Sequence, residues 1–377
     1  MSSNRREFIK GGLLGGAALA GTGLASAARS DEQGSAGKQL DILVLGGTGF
    51  IGPHMVREAL RRGHSVTLFN RGRTNNELFP DLETIKGDRA GDLSMLEGRK
   101  WDAVIDNSGY VPRHVQNSAT TLAPNIGQYL YISTISVYDT YTTPNDESSE
   151  LGLLEDESVE EVNGETYGPL KALCEQRARA EIGADRLTIL RPTYICGPGD
   201  HTDRFSYWPV RVSRGGEMLV PGGPEYPLQI IDVRDLANFT IDCLDQSLTD
   251  TFNTVTPVGS YDMGQLLIDS QAVAATEVEP VWVSEAFVSD AQANNPAQNR
   301  GMFPIWHPLQ GDYANVSSVS GKKAVAAGLH NRPVRETIRD LLAWWQTLPG
   351  ERTSPMQAGM TAETEAELIA AWRARNA

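Results

Sequence analysis

Tyr167 and Lys171 are the residues whose types and spacing point most directly to chemistry. On a helix, side chains four apart lie on one face, so this phenol and this ammonium point the same way. A nearby ammonium favours phenolate, which predicts a Tyr167 pKa lowered toward the range useful for a general acid/base. A Tyr-x-x-x-Lys pair is common by chance, and position gives this one its weight. Just upstream, residues 128–133 (QYLYIS) read as a strand that ends in hydroxyls, running on into Thr134-Ile135-Ser136-Val137-Tyr138. Pro169 suits the first turn of the helix that opens at Tyr167, where no N–H partner is lost. That helix should run to about residue 181.

The second constellation is a glycine turn, Gly46-Gly47-Thr48-Gly49-Phe50-Ile51-Gly52, between an apolar run at 42–45 and a helical pattern through Met55, Val56, Ala59 and Leu60. Strand, glycine turn and helix in this order cradle a pyrophosphate. Glycine lets backbone N–H groups approach it, and the helix N-terminus adds about half a positive charge. The next strand, 65–69, ends in Asn70-Arg71-Gly72-Arg73. A carboxylate there would take the adenosine ribose of NAD, whereas two guanidinium groups suit a 2′-phosphate, so NADP is favoured over NAD. The competing reading makes Arg71 and Arg73 solvated turn residues and leaves NAD in place. Asp88, after a third strand at 82–85, is placed to accept from the adenine amino group. Asn107-Ser108-Gly109 follows a fourth strand at 102–106 and should line the cofactor at the carboxyl edge of the sheet.

These groups need a parallel sheet with helices between its strands. The alternation continues through a helix at 112–123, the fifth strand, the Tyr167 helix and a sixth strand at 186–190, giving a doubly wound α/β fold. It loosens near residue 195, where a smaller C-terminal substrate lobe is expected. The predicted organisation is a signal at 1–27, a lead-in at 28–39, a nucleotide-binding domain at 40–194, the substrate lobe with returning elements at 195–350, and a helical tail at 351–377. Residues 139–166 hold ten acidic residues and no lysine or arginine, and read as a solvated surface excursion. Cys174, Cys196 and Cys243 are too scattered for a disulfide framework or a metal site, and read as reduced core residues.

The first residues read as an address. Arg5 and Arg6, followed by Glu-Phe-Ile-Lys, a Gly/Ala-rich apolar run and Ala25-Ser26-Ala27, resemble a twin-arginine export signal. The twin-arginine machinery is therefore an expected partner. Periplasmic or extracellular placement is expected, with retention by an uncleaved signal as the alternative. Such a chain crosses already folded and must hold its nucleotide tightly. The net charge is −15, and loss of the signal removes two more positive charges than negative ones. So acidic a surface repels phosphate backbones and argues against nucleic acid as a partner.

Taken together, Gly46–Gly52, Asp88, Asn107-Ser108-Gly109, 133–138, Tyr167/Lys171, Arg191-Pro192 and IIDVRDLA resemble an extended short-chain dehydrogenase/reductase of the NAD-dependent epimerase/dehydratase family, over roughly residues 40–345. The resemblance implies a Rossmann sheet, Tyr167 as acid/base, and Lys171 as ribose ligand and pKa tuner. In that family a Ser or Thr four residues before the strand-end tyrosine orients the substrate oxygen. Counting from Tyr138 gives Thr134, with Ser133 as fallback, and Ser133 and Pro192 complete the expected cofactor contacts. Dehydratases of the family carry Asp-Glu after that threonine, whereas this chain has Ile135-Ser136, so elimination lacks its usual acid and base. Hydride transfer on a sugar-like substrate is the expected activity, with Arg204, Trp208 and Arg234 as candidate substrate contacts and a homodimer left open. The glycine and Phe-Asn-Arg-Gly turns also resemble the branch containing chloroplast stem-loop RNA-binding proteins, a role the acidic balance disfavours. A nucleotide-binding sensor or scaffold without turnover is the other alternative.

Overall fold

The computed structural model describes residues 38–294 and 301–377. The twin-arginine signal and nearly all of the lead-in lie outside the described residues. Strand β1 (Asp41–Leu45) shows why the sheet forms: from Ile42 onward every side chain is fully buried. Ile42 and Val44 enter one hydrophobic cluster, Leu43 and Leu45 another, as a strand covered on both faces requires. Each such side chain contributes about 1.5–3 kcal/mol on burial.

Helix α1 (Gly52–Arg61) follows the glycine turn, then β2 (Ser65–Asn70), β3 (Thr84–Lys86), β4 (Trp101–Asp106), α2 (Pro112–Leu122), β5 (Ile126–Ile132), α3 (Tyr167–Ile182) and β6 (Leu187–Pro192). Further on come β7 (Tyr194–Cys196), α4 (Tyr207–Val212), β8 (Gly216–Pro221), β9 (Ile230–Asp232), α5 (Val233–Asp245) and β10 (Thr251–Thr254). The chain closes with α6 (Met263–Ala274), β11 (Val278–Val283), α7 (Glu285–Asn294), α8 (Lys322–Ala326), α9 (Val334–Trp345), α10 (Gly350–Thr353) and α11 (Ala362–Arg375).

The central sheet has the order β3-β2-β1-β4-β5-β6-β10, with every pairing parallel. Helices α1 and α5 cover one face; α2 and α3 cover the other. Strand order reverses between β1 and β4, so a crevice opens there at the carboxyl edge. The seventh strand, β10, is an addition to the sequence reading. Its TFNT run lacks an apolar signature, yet it is buried because Asn253 receives the Tyr138 hydroxyl at 2.6 Å and donates to the Ser320 carbonyl at 3.0 Å.

Beyond β6, the parallel pair β8–β11 and helices α4, α6, α7, α9 and α11 share a hydrophobic cluster of their own, around Trp208, Met218, Leu266 and Leu341. Helix α11 is tied down by Glu365, which accepts from the buried Arg211 at 2.6 Å and from the Leu219 amide at 3.1 Å. The acidic excursion is only partly solvated. Residues 155–165 are largely exposed, but Tyr138 pairs with Leu151, Tyr141 donates to the Ile135 carbonyl at 2.7 Å, and Glu147 accepts the Asn253 amide at 2.9 Å. This corrects the reading of the segment as wholly surface: its acids are distributed so that the first half can pack. The three cysteines are buried and unpaired. Among the described residues no helix is long and apolar enough to cross a membrane.

Candidate active site

A cavity of about 1300 Å³ runs along the carboxyl edge of the sheet, across the switch point. Its floor is the glycine turn. Gly46 has φ +97°, and a Cβ there would sit 2.6 Å from Asn107 Oδ1 and 2.8 Å from the Ser108 Cβ. A Cβ on Gly52 would meet the Gly46 carbonyl oxygen at 2.5 Å, so the turn folds onto the start of α1 only without one. By contrast, a Cβ on Gly49 would meet nothing within 4 Å, which leaves that backbone open to a ligand. Thr48, Phe50 and Ile51 line the same floor. Gly47 does not: its missing Cβ makes room for Leu68. Nor does Gly109, whose carbonyl accepts from Lys171 at 2.8 Å and Tyr131 at 2.7 Å.

Asn70, Arg71, Arg73, Asp88, Asn107, Ser108, Ser133 and Pro192 all line the cavity, from five different strand ends. Asn70 holds its loop through its Oδ1, which accepts the Gly72 amide at 2.8 Å. Asp88 accepts the Ala90 amide at 3.1 Å, and that bond, helped by Arg71 and Arg73, holds its carboxyl below the usual range. Asn70 Nδ2, Arg89 Nε, Asn107 Nδ2 and Ser133 Oγ are buried here without a hydrogen-bond partner. Buried donors are normally satisfied, so four orphans on one cavity mark a polar ligand. A dinucleotide offers ribose hydroxyls, phosphate oxygens and ring nitrogens to such donors, and the open Gly49 backbone fits its pyrophosphate.

Thr134, Tyr167 and Lys171 line the same cavity. Their placement depends on Gly168, where a Cβ would lie 2.1 Å from the Ser136 carbonyl oxygen. Its absence lets the first turn of α3 sit against the short 3-10 turn at Ile135–Val137. Thr134 caps that turn, its Oγ1 accepting the Ser136 amide at 3.1 Å and donating to Ser136 Oγ at 3.2 Å, and its side chain favours the ionised form of the Tyr167 phenol. Lys171 is buried and donates to the Gly109 and Ile132 carbonyls at 2.8 and 2.7 Å, leaving one of three donors. Burial pulls its pKa down to about 8.

Burial also pushes the Tyr167 phenol up to about 12, reinforced by Tyr110 and opposed by Thr134 and Arg204. The expected lowering of this pKa by Lys171 is therefore corrected. Lys171 spends its charge on two carbonyls, and desolvation dominates the phenol. Of the proposed substrate contacts, Arg204 lines the cavity, its guanidinium 5.2 Å from the Tyr194 ring centre. Trp208 does not: it is fully buried in the C-terminal cluster and donates to the Pro304 carbonyl at 2.9 Å. Arg234 does not either, being spent on Asp232 at 2.8 Å and on Asp340.

Several lining residues escaped the sequence reading. Arg89 grips Asp106 with two 2.6 Å bonds, and Tyr129 donates to the same carboxylate at 2.6 Å. Burial would raise the Asp106 pKa, but Arg89 outweighs it and holds the carboxyl ionised. A carboxylate closing the apolar DAVID strand was the available signal. On the far wall His307 stacks with Tyr313, centroids 4.9 Å apart, and shares a 2.6 Å hydrogen bond with Tyr194. No local pattern announces His307, since it comes from a loop more than a hundred residues after α3.

This fold and site define a Rossmann-type protein of the extended short-chain dehydrogenase/reductase build. The sequence pattern described as the NAD dependent epimerase/dehydratase family matches residues 42–254, more than half of the chain, so the chain belongs to that family. Among curated proteins, the chloroplast stem-loop binding protein of 41 kDa b of Arabidopsis thaliana is 28% identical over 226 residues, 56% of each chain. The 2-alkyl-3-oxoalkanoate reductase of Stenotrophomonas maltophilia is 34% identical over 182 residues, 43% of this chain and 52% of that protein. The matched regions thus span about half the length of these relatives. Among solved structures, the Bordetella bronchiseptica enzyme WbmH in complex with NAD+ superposes with TM-score 0.61 at 16% identity, covering 82% of this chain and 99% of that one. A UDP-glucose 4-epimerase gives 0.59 at 16% identity, covering 82% and 98%. These two likenesses concern the fold.

Proposed function

We propose that the protein is an NAD(P)-dependent epimerase or oxidoreductase that moves a hydride at a hydroxyl- or carbonyl-bearing carbon. The observation that carries this reading is the convergence of Thr134, Tyr167 and Lys171 on one cavity with the glycine turn. The nicotinamide, when bound, supplies the hydride acceptor and donor. Thr134 orients the substrate oxygen beside the phenol. Tyr167 holds the proton at neutral pH, since its pKa lies far above, and passes it to a carbonyl oxygen or receives it from an alcohol. Lys171 would hold the cofactor ribose with its remaining N–H, while its other two bond the Gly109 and Ile132 carbonyls. Asn70, Asn107 and Ser133 supply the unpaired donors along the nucleotide.

Arg71 and Arg73, with no carboxylate ending β2, support NADP over NAD. The expected substrate is a sugar or sugar derivative. The twin-arginine signal supports export of the folded, loaded protein, and a closed hydride cycle, as in an epimerase, would then need no free cofactor. Net charge of −15 speaks against nucleic-acid binding, and so against a stem-loop-binding role such as the name of the plastid relative gives. The test is mass spectrometry of protein made through its native export route and recovered from the envelope fraction. Stoichiometric NADP(H) or NAD(H) is expected. Protein free of nucleotide that gains no thermal stability from either cofactor overturns the reading.

A further inference from the structure

The substrate wall of the cavity has a charge pattern that selects among substrates. It is contributed by residues 134–165 and by the chain beyond Pro192. Among the described residues, Arg204 is the only arginine or lysine on it, and three acidic residues, Asp139, Glu165 and Asp312, also line it. Among the described residues most arginines are ion-paired, and Arg204 is one of the few with no carboxylate partner. Its only side-chain hydrogen bond is from Nε to Thr202 Oγ1 at 3.2 Å. The guanidinium lies over the Tyr194 ring at 5.2 Å, which fixes its plane. Beyond it, Tyr194, His307 and Tyr313 continue the wall as a stack. Arg204 and Tyr167 line the same cavity.

From this wall we infer that the substrate is a monocarboxylate, a hydroxy or oxo acid with sugar acids included, anchored by Arg204, and not a nucleoside-diphosphate sugar. One planar guanidinium matches one carboxylate bidentately. A diphosphate would bring about two charges against a single cation and three acids, and like charges at close quarters reject a ligand. This inference rests on the hydride-transfer reading and narrows its substrate.

The experiment titrates protein preloaded with NADP+ or NAD+, by calorimetry, with glucuronate, 3-hydroxyhexanoate and UDP. At least one of the two acids should bind, its methyl ester at least tenfold more weakly, and UDP at 1 mM not at all. Arg204→Gln should weaken the acid at least tenfold and leave the ester unchanged, with Arg204→Lys in between. Arg204 is exposed and holds no other element in place, so these variants fold. Binding of UDP as tight as that of the acids overturns the inference. So does binding of neither acid, or an acid affinity indifferent to Arg204→Gln. Failure of the cofactor itself to load sinks the hydride-transfer reading instead, so the two failures are distinct.

Discussion

Tyr167 and Lys171 illustrate how far a site is set by neighbours beyond the pair itself. Burial holds the phenol at about 12, above its ordinary value of 10, so it stays protonated through the neutral range. Tyr167→Phe should therefore remove the proposed proton carrier. Turnover should fall about 10²–10⁴-fold, while nucleotide binding, measured by fluorescence titration, stays within about twofold because the phenol oxygen is not among the unpaired cofactor donors. Lys171 yields a pH prediction. Its folded pKa of about 8 lies below its ordinary 10.5, so between these values the unfolded chain binds more protons. Stability conferred by this group must then rise with pH across that window. In nucleotide-free protein, wild type should gain stability relative to Lys171→Met between about pH 8 and pH 10, read from urea midpoints. An unchanged difference would mean that the buried ammonium is not the titrating group.

At the scale of elements, the site is assembled by close backbone approaches. Gly168 decides whether α3 can rest on the turn at Ile135–Val137. Helix propensity alone would make Gly168→Ala stabilising by up to about 1 kcal/mol. A Cβ 2.1 Å from a carbonyl oxygen instead forces the elements apart, an overpacking cost of about 1–3 kcal/mol. The clash should win, lowering the melting temperature and reducing kcat at least tenfold, with cofactor affinity nearly unchanged because the glycine turn is untouched. The strands and helices as far as β6 were legible from apolar runs and glycine or proline punctuation. β10 was not, because Asn253 and its threonines are buried by hydrogen bonds to Tyr138 and Ser320 rather than by being apolar.

For the whole molecule, the C-terminal helix is a structural strut and not an appendage. Glu365 on α11 neutralises Arg211 beneath β8, and Arg211 also donates to the Gly215 carbonyl at 3.0 Å and to the Glu217 carbonyl. Removing one partner of a buried pair leaves an uncompensated charge, at a cost of about 3–5 kcal/mol. Glu365→Ala should lower unfolding free energy by that order in urea titrations, while a double variant that also replaces Arg211 with Met should recover part of it. Little loss in the single variant would show that water reaches Arg211.

The sequence by itself determined the parallel sheet, the glycine cradle and the Tyr167/Lys171 pair, because each is written in short-range spacing: apolar runs, glycines three apart, one helical turn. It also singled out Arg204, but beside Trp208 and Arg234, with nothing local to separate the three. Only the tertiary structure did so, burying Trp208, spending Arg234 on Asp232 and Asp340, and leaving Arg204 facing the cavity. It also brought Tyr194, His307 and Tyr313 into one wall and reversed the expected direction of the Tyr167 pKa. Burial and charge compensation are sums over residues distant along the chain, and no local pattern carries them.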